Sequence, residues 1–260
     1  MAFIQCDFFS DVLGMSSSMN VIIPEKKENR IGIKTKADQE KYPVLYLLHG
    51  LSDDHTAWMR RTSIERYANK YGLAVIMPNV HRSFYTDMEC GNDYFTFVSQ
   101  ELPETAEKLF PLKTGRKNTF VAGLSMGGYG AFKLALNQPE RFAAAASLSG
   151  ALNLAENAEK ANKSDELYQE MKWIFGNSKK VRNTEHDLFY LLKRLKGEKK
   201  KIPALYQCCG TEDFLYEDNL KFKNFCRKNK IKLKYEEESA VHEWGYWDKK
   251  IQSVLRWLPL

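Results

Sequence analysis

The chain has 260 residues, 43% hydrophobic and 28% charged, a balance near the globular norm that excludes a disordered or fibrous protein and allows one domain, 1–260, around one substantial core. Its 39 Lys and Arg exceed the 33 Asp and Glu by six, but they are interspersed, and the one dense basic run, KRLKGEKKK at 193–201, reads as a solvated helix end and loop. No nucleic-acid partner is therefore expected.

In chain order, the opening MAFIQCDFFSDVLG carries Asp7 and lacks both a basic leader and a long apolar region, which speaks against a secretory signal. No apolar run approaches the roughly 20 residues that span a bilayer, so the expectation is a cytoplasmic protein with no membrane partner. AFIQCDFF and MNVIIP read as a hairpin. Six further strand candidates follow: VLYLLHG, LAVIMPN, NTFVAGL, FAAAASLSG, ALYQCCG and IKLKYEEES. Amphipathic runs separate several of them, namely SIERYANKYG, YFTFVSQELPETAEKLF, GGYGAFKLALNQ and DNLKFKNFCRKNK. Strands spaced by helices imply right-handed crossovers and a mostly parallel eight-stranded sheet with helices on both faces. The rhythm breaks at about 151–200, too long for one crossover helix, and this helical insertion is expected over the carboxyl ends of the strands. Within it, Trp173, Ile174 and Phe175 read either as lid residues or as packing. The five cysteines are odd in number and form no CxxC pair, which fits a reduced compartment and no metal. Adjacent Cys208 and Cys209 read as buried and structural.

The stretch Gly123-Leu124-Ser125-Met126-Gly127 is a G-x-S-x-G sequence, weak alone. Here it follows a strand and opens a helix, as a nucleophile elbow requires. The glycines permit a strained turn that lifts the hydroxyl, and Gly128 and Gly130 would let the helix pack closely on the sheet. Ser125 is thus read as a nucleophile, and a serine hydroxyl needs a base. Of five histidines, only His242 falls in the loop just after the last strand candidate, and the chain order Ser, acid, His selects it. The acid is Asp213, favoured over its neighbour Glu212, on the Gly-led turn after ALYQCCG. The backbone N–H groups of Met126 and Leu51 are the candidate oxyanion donors. His49 is assigned a positional role beside Gly50, and Asp53-Asp54-His55 reads as a helix cap and not a metal cluster.

HGLSDDHTAW, GLSMGGYGAF, GTEDF and HEWGYWD, with the opening FFSDVLGMSSSMNVIIPE, resemble the esterase D / S-formylglutathione hydrolase superfamily. The resemblance is nearest to its bacterial tributyrin-esterase (acetyl esterase) branch, related to carbohydrate esterase family 1. It covers nearly the whole chain and implies an α/β-hydrolase fold, short-chain ester hydrolysis and the same residues: Ser125, Asp213 and His242, with the amides of Leu51 and Met126. It also implies that feruloyl and acetylxylan esterases, S-formylglutathione thioesterases and mycolyl-type acyltransferases share this triad.

The expectation is a cofactor-free serine carboxylesterase acting on a small-molecule ester, with self-association left open. The rivals are a thioesterase, a feruloyl or acetylxylan esterase, and a non-catalytic binding module. Leu51, Met126, Trp58, Trp173 and Trp244 are expected to crowd the serine and limit the acyl group to acetyl through butyryl.

Overall fold

The computed structural model describes residues 1–25, 36, 39–164, 167–176 and 181–260. Strand β1 (Ala2–Ser10) alternates in burial along its length and pairs antiparallel with β2 (Met15–Ile23) in the register Ala2 to Ile23. Gly14, at φ 64°, lies in the turn between them. The central strands β3 (Val44–Leu48), β4 (Ala74–Pro78), β5 (Thr119–Leu124) and β6 (Ala144–Leu148) are buried at every position. Such continuous apolar runs suit a sheet covered on both faces. With β7 (Ala204–Gly210) and β8 (Leu233–Glu238) they form one eight-stranded sheet of order β1-β2-β4-β3-β5-β6-β7-β8, parallel from β4 onward.

Alternate residues of each strand feed two cores. Val44, Tyr46 and Leu48 join Val121 and Phe132 on one face, while Leu45 and Leu47 join Phe120, Trp58 and Ile251 on the other. The second core is closed by helices α1 (Ala57–Arg61), α2 (Ile64–Tyr71) and α10 (Trp244–Trp257). The first holds α5 (Met126–Asn137), α8 (Leu188–Gly197) and α9 (Tyr216–Lys228). The expected helix over 94–110 is present but not uniform, since α3 (Tyr94–Thr96) passes through a π turn (Phe97–Glu101) into α4 (Leu102–Leu109). Pro103 explains the break, because it has no N–H for the Ser99 carbonyl, which accepts instead from Arg141 Nη1 at 2.5 Å.

The insertion is shorter than the 151–200 expected. Leu188, Leu191, Leu192 and Leu195 of α8 are buried in the first core, so α8 is the crossover helix into β7. The surplus is therefore about 151–187, containing α6 (Leu154–Lys160) and α7 (Tyr168–Phe175), with residues 165–166 and 177–180 outside the described residues. Ile174 and Phe175 are buried and pack, whereas Trp173 is 53% exposed.

Strand order reverses at β3, with β4 on one side and β5 on the other. At such a switch point the loops leaving the carboxyl ends of two strands part and leave a crevice. The loop after β3 begins at His49, and the residue after β5 is Ser125.

Candidate active site

Ser125 sits between β5 and α5 at φ 52°, ψ −119°, a conformation rare for a residue with a side chain. The glycines on either side are required by backbone contact. A Cβ at Gly123 would lie 2.3 Å from the Gly127 carbonyl oxygen, and one at Gly127 would lie 2.5 Å from that of Leu48. Gly128 meets the sheet side as expected, 2.7 Å from Ser147 Oγ, but Gly130 makes room for a different group, the ring of Tyr85 at 2.4 Å.

The structure brings Ser125, His242 and Asp213 together. His242 Nε2 is 3.1 Å from Ser125 Oγ, and His242 Nδ1 is 2.8 Å from Asp213 Oδ2. Asp213 is buried on the turn after β7, where its Oδ1 also accepts the Leu215 N–H at 2.9 Å. Burial pushes this carboxyl upward, but the bonds from His242 and Leu215 outweigh it and leave the pKa below the ordinary value. Glu212 instead turns to the backbone N–H of Ala240. The imidazole lies between two rings, Phe214 at 4.5 Å and the edge of Trp247 at 4.8 Å, and Trp247 Nε1 donates to Ser149 Oγ. This geometry can pass the serine proton to an imidazole whose other nitrogen is held by a carboxylate.

The other histidines are placed elsewhere. His49 is buried, its Nε2 accepting the Val80 N–H at 3.1 Å and its Nδ1 donating to the Gly50 carbonyl at 2.7 Å, which defines a neutral tautomer. Burial lowers its pKa to about 4. Burial lowers that of His186 to about 3, with Lys133 adding to the effect, and its ring packs on Phe175. Asp54 accepts the N–H and hydroxyl of Thr56 ahead of α1, and no group of three or more metal-ligating side chains occurs among the described residues.

A cavity of about 250 Å³ opens at Ser125, walled by Leu51, Met126, Phe84, Leu154, Met171 and Phe214 among others. Its lining corrects the expected tryptophans, none of which faces it. Trp58 is fully buried because its indole N–H finds the Leu48 carbonyl at 3.0 Å, supporting the end of β3. Trp244 packs edge-on against Trp58 and Trp247. Trp173 lines a neighbouring polar cleft of about 610 Å³ that shares Leu51 and includes Asp53, Arg82, Asn92 and Glu170. A larger groove, about 1100 Å³, lies near the amino ends of β7 and β8, lined by Lys196, Lys201 and Lys232, away from the serine. Size alone does not make it the reactive site, since it holds neither a nucleophile nor a base.

Sequence reasoning missed Phe84, Tyr85, Phe214 and Lys133. Lys133 is a fully buried lysine on α5 whose ammonium donates to Thr86 Oγ1 at 2.6 Å, with burial lowering its pKa to about 7. Its place on the apolar helix FKLAL was visible, but its partner was not.

A serine on a strand-turn-helix elbow, facing His242 at the switch point of this sheet, defines the α/β-hydrolase fold. The chain belongs to the family described as "Putative esterase", whose model matches residues 11–258. It is 32% identical to an acetyl esterase of Caldicellulosiruptor saccharolyticus, over 99% of this chain and 98% of that protein. Among solved structures it is similar to fluorophosphonate-binding serine hydrolase F of Staphylococcus aureus, with 38% identity, a TM-score of 0.88 and coverage of 99% and 98%. An S-formylglutathione hydrolase from the same organism gives 39%, 0.85 and the same coverage. The chain is a carboxylic ester hydrolase of the serine class.

Proposed function

We propose that the protein hydrolyses short-chain acyl esters, acetyl to butyryl, through an acyl-enzyme on Ser125. The observation that carries this reading is the Ser125, His242 and Asp213 relay opening onto a small apolar cavity. As Ser125 Oγ attacks the ester carbon, His242 Nε2 takes its proton, and Asp213 holds the imidazolium that forms. The carbonyl oxygen becomes an oxyanion facing the N–H groups of Leu51 and Met126, the latter in the first turn of α5, whose N–H groups have no partner within the helix. Collapse expels the alcohol, protonated by His242. Water then repeats the sequence on the acyl-enzyme and releases the acid.

A second reading, a thioesterase of the S-formylglutathione type, is favoured by the cleft beside Leu51, where Asp53, Asn92 and the Arg82–Glu170 ion pair give a peptide-like leaving group polar surface to bind. Turnover of p-nitrophenyl acetate and butyrate, compared with S-formylglutathione, separates the two. A fluorophosphonate should label Ser125 stoichiometrically and abolish hydrolysis of either. Wild-type protein that resists the probe and hydrolyses neither substrate would remove both readings.

A further inference from the structure

We propose that Tyr85 is a positioning residue for ester hydrolysis, one arm of a buried clamp that aims the Leu51 N–H at the developing oxyanion. The inference rests on Leu51 acting as an oxyanion donor. That N–H shares a planar peptide unit with the Gly50 carbonyl, so fixing one end fixes the direction of the other. The Gly50 carbonyl accepts from His49 Nδ1 at 2.7 Å and from the Asp53 N–H at 3.2 Å. The preceding peptide unit is held from outside the loop, where Tyr85 Oη donates to the His49 carbonyl at 3.0 Å. Gly127 of the serine elbow presses on that same carbonyl, since a Cβ there would come within 2.6 Å of it. The His49 ring is anchored in turn by the Val80 N–H. Two consecutive peptide units before Leu51 are thus fastened to the segment Val80–Tyr85.

That segment is itself held in an unusual shape. His81, Phe84 and Tyr85 all have positive φ, and such conformations persist only where the surroundings over-determine them. Here Thr86 Oγ1 donates to the Phe84 carbonyl at 2.9 Å and accepts from Lys133 Nζ, and Lys133 lies two turns along the helix that Ser125 opens. Tyr85 is fully buried with its ring on Gly130 of that helix. Burial raises its pKa well above 10, so its hydroxyl stays a donor. The nucleophile and the oxyanion loop therefore share one frame. Any acceptor would satisfy a buried hydroxyl, and the functional meaning lies in this one being the carbonyl next to the oxyanion loop.

The test is Tyr85→Phe, which keeps the ring and removes only the hydroxyl, assayed on p-nitrophenyl acetate. Losing an oxyanion donor outright costs about 10²–10³ in kcat, so loosening one should lower kcat by about 10- to 30-fold. KM should stay within about twofold, because ground-state binding does not use the oxyanion geometry. Affinity for a trifluoromethyl ketone, whose serine adduct carries an oxyanion, should fall in parallel with kcat, while affinity for the corresponding methyl carbinol stays constant. A folded variant with unchanged kcat, or one losing affinity for ketone and carbinol alike, overturns the proposal. If Tyr85→Phe does not fold, His49→Gln cuts the clamp at its other end and is read by the same split. Failure of both to fold makes the clamp a folding element only and also overturns it. Wild-type protein in the same assay keeps the outcomes apart, because absence of wild-type turnover would refute the esterase reading and not this inference.

Discussion

Phe214 lies against His242 with ring centroids 4.5 Å apart, yet 76% of its own surface is open to solvent. Its inner face covers the base and forms part of the wall of the cavity at Ser125. Its sequence position, directly after Asp213, ties its placement to the same turn. Phe214→Ala should leave the melting temperature nearly unchanged and raise KM for p-nitrophenyl butyrate by about 3- to 10-fold, from the roughly 1 kcal/mol of lost apolar contact. Unchanged KM and unchanged kcat in steady-state kinetics would mean that the ring serves neither substrate nor base.

The relay makes graded demands on its members. Ser125→Ala keeps the elbow, since alanine meets the same backbone limits as serine, and should lower turnover by up to about 10⁶ as in comparable serine hydrolases. His242→Ala should be nearly as damaging. Asp213→Asn should cost about 10⁴, because an amide nitrogen cannot accept the Nδ1–H and favours the wrong tautomer. Stopped assays on folded protein check the order. An inactive His186→Ala alongside an active His242→Ala would reverse the choice of base.

The general plan was readable because each local signal agreed with the next: apolar runs gave the eight strands, and Gly123-Leu124-Ser125-Met126-Gly127 marked the elbow between β5 and α5. His242 and Asp213 could be picked from chain order, since both fall in turns after late strands. The cavity wall could not be picked that way. Trp58 and Trp244 are near Leu51 and His242 in sequence, but each faces the second core, where large indoles bury the most area. Phe84 and Tyr85 reach the site only through positive-φ backbone, which no pattern of apolar residues announces. Helix α10 did carry a signal in Trp247, Ile251, Val254 and Leu255 at helical spacing, and it passed unmarked beside the stronger motif at His242.

Lys133 should make stability depend on pH. Its folded pKa is about 7, lowered by burial against the pull of Glu185 and Asp87, whereas the unfolded value is near 10.5. Between these values the unfolded chain binds more protons than the folded one, so stability rises with pH across that window and its deficit is complete below pH 7. The trend is best read between pH 7 and 9, because the buried thiols of Cys208 and Cys226, raised to about 12 mainly by burial, favour the folded state less and less above pH 9. Urea midpoints should climb over this interval in the wild type. In Lys133→Met the climb should flatten, and equal slopes in the two proteins would show that the lysine does not titrate there.

Acyl length should be set by the wall between two cavities. Ala158, Ala161, Tyr168 and Met171 line both the 250 Å³ cavity at Ser125 and an adjoining one of about 430 Å³ that runs toward Glu89 and Gly176. In the wild type an added methylene contributes about 0.8 kcal/mol while it fits, and costs more than it gains once it meets that wall. kcat/KM on p-nitrophenyl esters should therefore peak between acetyl and butyryl and fall steeply by octanoyl. Met is unbranched and fills irregular gaps, so Met171→Ala should remove wall volume with little disturbance of α7 and join the two spaces. The variant should turn over octanoyl at least about tenfold better relative to acetyl, the free energy of roughly two buried methylenes. An unaltered chain-length profile, with the variant folded and its acetyl turnover intact, would show that the acyl group does not press on this wall.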